Sequence, residues 1–152
     1  MELGFIKTLL LIASALLILY NLFFTGNLSA QKLKFLVSSL TVTLILIFII
    51  VLKLHHYFRA ELNIPNTLIY FLVSVIFILH FFYFRYEIIK ANFVLLILSI
   101  GFIFCAVLLD LLTDGKILVM PGSDLIEELL RIAGTGLWML YYLHYSFKLR
   151  KI

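Results

Sequence analysis

Five stretches of the sequence stay apolar for about 20 residues, the length that crosses a hydrocarbon core of roughly 30 Å. They are Leu3 to Phe24, Leu33 to Leu52, Thr67 to Phe84, Phe93 to Leu112, and Leu125 to Phe147. In lipid an unpaired backbone amide has no water to turn to, so a single apolar stretch of this length can cross only as a helix. The punctuation between the stretches agrees: TGN at Thr25 to Asn27, NIPN at Asn63 to Asn66, TDG at Thr113 to Gly115 and PGSD at Pro121 to Asp124 all read as helix ends. The expectation is an all-α fold, a polytopic integral membrane protein whose residues 1–152 form a single domain, a bundle of about five transmembrane helices. Hydrophobic residues make up 64% of the chain and charged ones 13%, about half the roughly 25% charged fraction of a soluble domain. Apolar surface on that scale calls for lipid as solvent. The first stretch holds an Ala13-Ser14-Ala15 triplet, but LLILYNLFF follows it without a polar break, so it is expected to be a retained span and not a cleaved leader.

An odd number of spans puts the two termini on opposite faces, and the charges then sort. On the face of the C-terminus lie Lys32, Lys34, Arg85, Lys90, Lys148, Arg150 and Lys151, with Glu87 as the acid among them. The other face carries Lys7, Lys53, Arg59, Lys116 and Arg131 against Glu2, Glu61, Asp110, Asp114, Asp124, Glu127 and Glu128. The excess of Lys and Arg on the first face predicts an N-terminus outside and a C-terminus in the cytoplasm, in the inner or plasma membrane. Acids contribute little to that rule, so their crowding on the outer face needs its own cause. The net charge of +4 sits at segment ends and forms no stripe with exposed aromatics, which argues against nucleic acid as a partner.

Helical periodicity gathers the polar residues. On the fifth span Glu127, Arg131, Gly134, Trp138, Tyr141, Tyr142 and Tyr145 share one face, and on the fourth Asn92, Ser99, Ala106, Asp110, Thr113 and Asp114 do the same. A short connection makes these two spans antiparallel neighbours, which would bring Asp110 near Glu127 and Arg131. The first span adds a weaker stripe of Lys7, Ser14, Asn21 and Thr25. An ionisable group at membrane depth is costly and normally faces a partner, a cavity or a pathway. The ordinary reading of DLIEELLR, Asp124 to Arg131, competes with that. Asp124 can cap the fifth helix, Glu127 occupies the capping-box position, and Glu127 and Glu128 stand at i,i+4 and i,i+3 spacing from Arg131. For Asp110 the ordinary reading is an interfacial aspartate paired with arginine, and for Asp114, beside Gly115, it is a turn residue.

Chemistry-bearing motifs are sparse. His55 and His56, in the outer segment KLHHYFRAE, are weak metal candidates without a ligand spacing, and His80 with His144 lie at similar depth on different spans. The lone Cys105 sits within an apolar run, where packing is its expected role. The sequence contains no HExxH, GxSxG, phosphate-binding loop, histidine-box set or GxGD aspartate context, so an enzyme is the less favoured class and no cofactor is expected. The run IEELLRIAGTGLWMLYYL, Ile126 to Leu143, with Asp110 before it, resembles the terminal segment of various small bacterial multi-pass proteins. That resemblance implies a bacterial inner-membrane setting and no particular activity.

The leading expectation is therefore a non-enzymatic binding or assembly module. A polar seam between the fourth and fifth spans would open to the acidic outer face and receive a partner's membrane segment, a second copy of the chain or a small cationic ligand. Asp110 and Asp114 would be acceptors, Glu127 and Glu128 entrance carboxylates, Arg131 the counter-charge and Trp138 packing surface. The alternatives are an ion, proton or small-cation transport subunit using Asp110, and, third, an enzyme acting on lipid.

Overall fold

A computed structural model describes residues 3–26, 28–114 and 121–150. Within them the chain is helical: α1 Leu3–Phe24, α2 Ala30–Leu46 continued by a π-helical turn Ile47–Val51, α3 Leu54–Leu62, α4 Asn66–Lys90, α5 Phe93–Asp114 and α6 Ser123–Arg150. Four of these, α1, α2 with its π-helical extension, α4 and α5, are long and apolar enough to cross a membrane, which makes this a membrane protein by composition. α6 is the longest helix at 28 residues, about 42 Å. It is too polar to join that set, and one face of it packs against the others: Trp138, Tyr141 and Tyr142 are fully buried there, whereas Leu125, Leu129 and Phe147 are exposed.

Pairs of side chains give the directions of packing. α1 and α6 run parallel, joined near their starts by Lys7 and Glu128 and near their ends by Asn21 and Ser146, where the Arg150 guanidinium also lies 4.8 Å from the Tyr20 ring. α2 runs against α6, with Thr43 opposite Trp138 and Phe35 opposite Tyr145. α5 is likewise antiparallel to α6, with Ser99 on Gly134 and Asp110 near Arg131. Gly134 is required here. A Cβ at that position would stand 2.6 Å from Ile103 Cγ1 and 3.0 Å from the Ser99 carbonyl oxygen, so only glycine lets the two backbones come this close.

Three features depart most from the sequence expectation, each for a local reason. α4 does not stop at Phe84. It kinks there (φ −105°, ψ 16°) and runs on to Lys90, because Arg85, Glu87 and Lys90 end the apolar stretch without breaking the helix. The segment expected as an outer loop contains α3. Left-handed residues Lys53 (φ 49°) and Asn63 (φ 57°) flank it, turning the chain away from α2 and back into α4. α3 places Tyr57 and Leu62 at the surface. Finally, α6 begins at Ser123, with Gly122 (φ 80°) accepting from the Leu125 and Ile126 amides. Asp124 consequently sits in the first turn and not at the cap.

Candidate functional site

The acidic end of the bundle carries a network built by four helices. Arg131 of α6 is buried and reaches Glu127 on its own helix at 2.6 Å, the i,i+4 geometry, and Asp110 of α5 at 3.7 Å. Asp110 in turn accepts a 2.6 Å hydrogen bond from the Tyr70 hydroxyl of α4. Glu128 turns the other way and takes Lys7 of α1 at 2.6 Å, so the i,i+3 pairing with Arg131 that the sequence allowed is replaced by an interhelical one. The backbone around these groups is tied down by short side chains. Ser74 donates to the Tyr70 carbonyl, Thr113 to the Leu109 carbonyl, and Thr135 to the Arg131 carbonyl. Trp138, one turn beyond Gly134, is fully buried and donates through Nε1 to Thr43 Oγ1 at 3.0 Å.

Burying a charge without a partner costs several kcal/mol, and here each of Lys7, Asp110, Glu127, Glu128 and Arg131 has one. The group formed by Asp110, Glu127 and Arg131 nonetheless contains two carboxylates and one guanidinium, a formal excess of one acidic group. Asp114 closes α5 on the same end, but its side chain, like that of His55, lies outside the described residues, as does Lys116. His56 lies on the exposed α3. Among the described residues no three His, Cys, Asp or Glu side chains gather as metal ligands. His80 is buried, with Nδ1 2.8 Å from Ser38 Oγ and its ring stacked on Phe35, whereas His144 is exposed.

The α5–α6 seam itself is tightly packed from Ser99 to Gly134. Open space lies on the other side of α5. A cavity of about 450 Å³ runs between the π-helical end of α2, the first half of α4 and the second half of α5, walled by Ile50, Tyr70, Ser74, Phe77, Ile103 and Val107 among others. That volume is in the range of small-molecule sites, roughly 300 to 1,000 Å³. The π-helical turn, a feature found often at functional sites, supplies Ile49 and Ile50 to its wall. Tyr70 belongs to both structures: it lines the cavity and donates to Asp110. Sequence reasoning missed it, since a tyrosine in an aromatic-rich span carries no periodic signal of its own. The available hint was depth, because Tyr70 lies near the same membrane end as Asp110.

Residues 3–145 match the family described as "Domain of unknown function (DUF8692)". No curated protein and no solved structure matches the chain.

Proposed function

The chain belongs to the DUF8692 family, whose description names no activity, and from the geometry above we propose a non-enzymatic binding module held in the cell membrane by five helices, N-terminus outside and C-terminus cytoplasmic. Supporting the fifth crossing is the pairing of α6 with α1 at both ends, Lys7 with Glu128 and Asn21 with Ser146: wherever α1 crosses, α6 accompanies it. Supporting the orientation is the excess of Lys and Arg at the end that holds the C-terminus.

The ligand in this reading is an amphiphile with a hydrocarbon tail and a cationic head. Its tail enters sideways from the bilayer into the cavity between α4 and α5. Its head reaches the Tyr70–Asp110–Glu127–Arg131 group, where the excess acidic group favours a cation and disfavours an anionic head. The single observation that carries the proposal is the double role of Tyr70, which lines an apolar cavity between helices long enough to cross a membrane and donates to a buried network of two carboxylates and one guanidinium.

The test is gentle extraction followed by native mass spectrometry of the wild type, Val107→Trp and the double variant Asp110→Asn with Glu127→Gln. Wild type is expected to retain a cationic amphiphile above its abundance in the membrane. Val107→Trp, which fills the cavity, should lose it while keeping its helical circular dichroism. The double variant should keep an apolar occupant but lose the preference for a cationic head. Retained molecules that mirror bulk lipid, or a Val107→Trp protein that retains the same molecule as wild type, would overturn the reading.

A further inference from the structure

Where α6 begins, two carboxylates meet one nitrogen: Arg131 Nη2 lies 2.6 Å from Glu127 Oε1 and 3.7 Å from Asp110 Oδ2. The guanidinium balances one of them. We propose that Asp110 and Glu127 share one proton while no ligand is bound, and that a cationic head takes the place of that proton. The exchange rests on the ligand reading above, whereas the shared proton does not depend on it. Three features carry the inference. The first is seclusion. The three side chains are 8 to 13% exposed, so water screens the repulsion between the carboxylates poorly. A secluded acid without a counter-charge of its own takes up a proton in preference to staying ionised.

The second is the surrounding field. The charges within reach of Glu127 are those of Arg131, Asp110, Asp124 and Glu128, one cation among three further acids. Lys7 of α1 is taken up by Glu128, α4 presents the neutral donor Tyr70, and α5 ends one turn beyond Asp110 on another acid, Asp114. Among the described residues no second cation pairs with Asp110 or Glu127. The third is access. Tyr70 donates to the same Asp110 Oδ2 that Arg131 approaches, and it also lines the cavity, so a head at the end of that cavity arrives at the pair holding the proton. As the head enters, the carboxyl O–H bond breaks and the proton passes to bulk water. With one proton or with one cationic head the group is neutral, so the exchange leaves no unbalanced charge at depth.

The experiment takes the full chain in dodecyl maltoside and reads, by infrared spectroscopy in water and in deuterium oxide, the carbonyl stretch of a protonated carboxyl. Wild type should show it at neutral pH and lose it as the pH is raised. Asp110→Asn and Glu127→Gln, each checked for helical circular dichroism, should each abolish the band, because either leaves one carboxylate to one guanidinium. Absence of the band from the wild type, or a band that survives in either single variant, would overturn the shared proton. The exchange is read with dodecyltrimethylammonium, a cationic amphiphile that carries no titratable proton. Its affinity should rise about tenfold per pH unit while the band disappears and then level off, because proton and cation compete for one place. An affinity independent of pH would overturn the exchange. A probe that binds at no pH removes the ligand reading and the exchange with it, while the carbonyl band alone still decides the shared proton.

Discussion

The two ends of this helical bundle handle buried polar groups in opposite ways. At the end where α6 begins, Lys7, Asp110, Glu127, Glu128 and Arg131 are strongly charged and all matched, each within reach of a partner on the same or a neighbouring helix. At the end where α6 finishes, the buried Glu87 has Lys90, but the milder groups are incompletely matched: Tyr141 and Tyr145 are buried with hydroxyls that have no hydrogen-bond partner among the described residues. Cost explains the difference. A lone buried charge is expensive enough to prevent folding, so charges at depth must arrive with their counter-charges. An unpaired hydroxyl costs about 1–3 kcal/mol, an amount that packing around the aromatic ring can offset.

The largest effect is expected from breaking the matched end at its centre. Arg131→Met strands Asp110 and Glu127 together and should cost about 3–5 kcal/mol, seen as a collapse of the thermal unfolding transition in detergent. Adding Asp110→Asn and Glu127→Gln to Arg131→Met should restore most of that loss, because an uncharged core replaces an unbalanced one. If Arg131→Met melts like wild type, the network contributes nothing and the contrast between the ends disappears.

Gly134→Ala comes next, at about 1–3 kcal/mol, because the added methyl meets Ile103 and the Ser99 carbonyl. A melting temperature equal to wild type would mean that α5 and α6 are not held as closely as described. The smallest pair is the most discriminating. Tyr70→Phe removes a hydroxyl bonded to a carboxylate and should cost about 1–2 kcal/mol. Tyr141→Phe removes one with no partner among the described residues and should be neutral or slightly stabilising, within about 0.5 kcal/mol. Equal losses from the two substitutions would show that the ends do not differ as drawn.

Features carried by one helix were the legible ones in the sequence. The spacing of Glu127, Arg131, Gly134, Trp138 and the tyrosines placed them on one face, and all but Glu127 of that face are buried in the structure. Asp110 came out beside Arg131 because facing stripes on antiparallel neighbours leave few other choices. What periodicity could not state is which distant helix completes a group. Lys7 pairs with a glutamate 121 residues away, and Tyr70 with an aspartate on the next helix. The cavity was invisible for a similar reason. Its walls are ordinary isoleucine, phenylalanine and valine, and its existence depends on how far α4 stands from α5. The continuation of α4 past Phe84 was hidden because charge marks the edge of an apolar stretch and says nothing about where the backbone stops being helical.

Trp138 has a further consequence. It is the one tryptophan in the sequence, and it stands where the two halves of the molecule meet, its ring 5.9 Å from Phe77 in the cavity wall and 5.4 Å from Tyr142 in the tyrosine cluster. The hydrogen bond to Thr43 holds the indole in one orientation. The chain therefore carries a built-in optical probe: filling the cavity or rearranging the tyrosines should each alter its emission, and the unlabelled protein can report on both ends through a single chromophore.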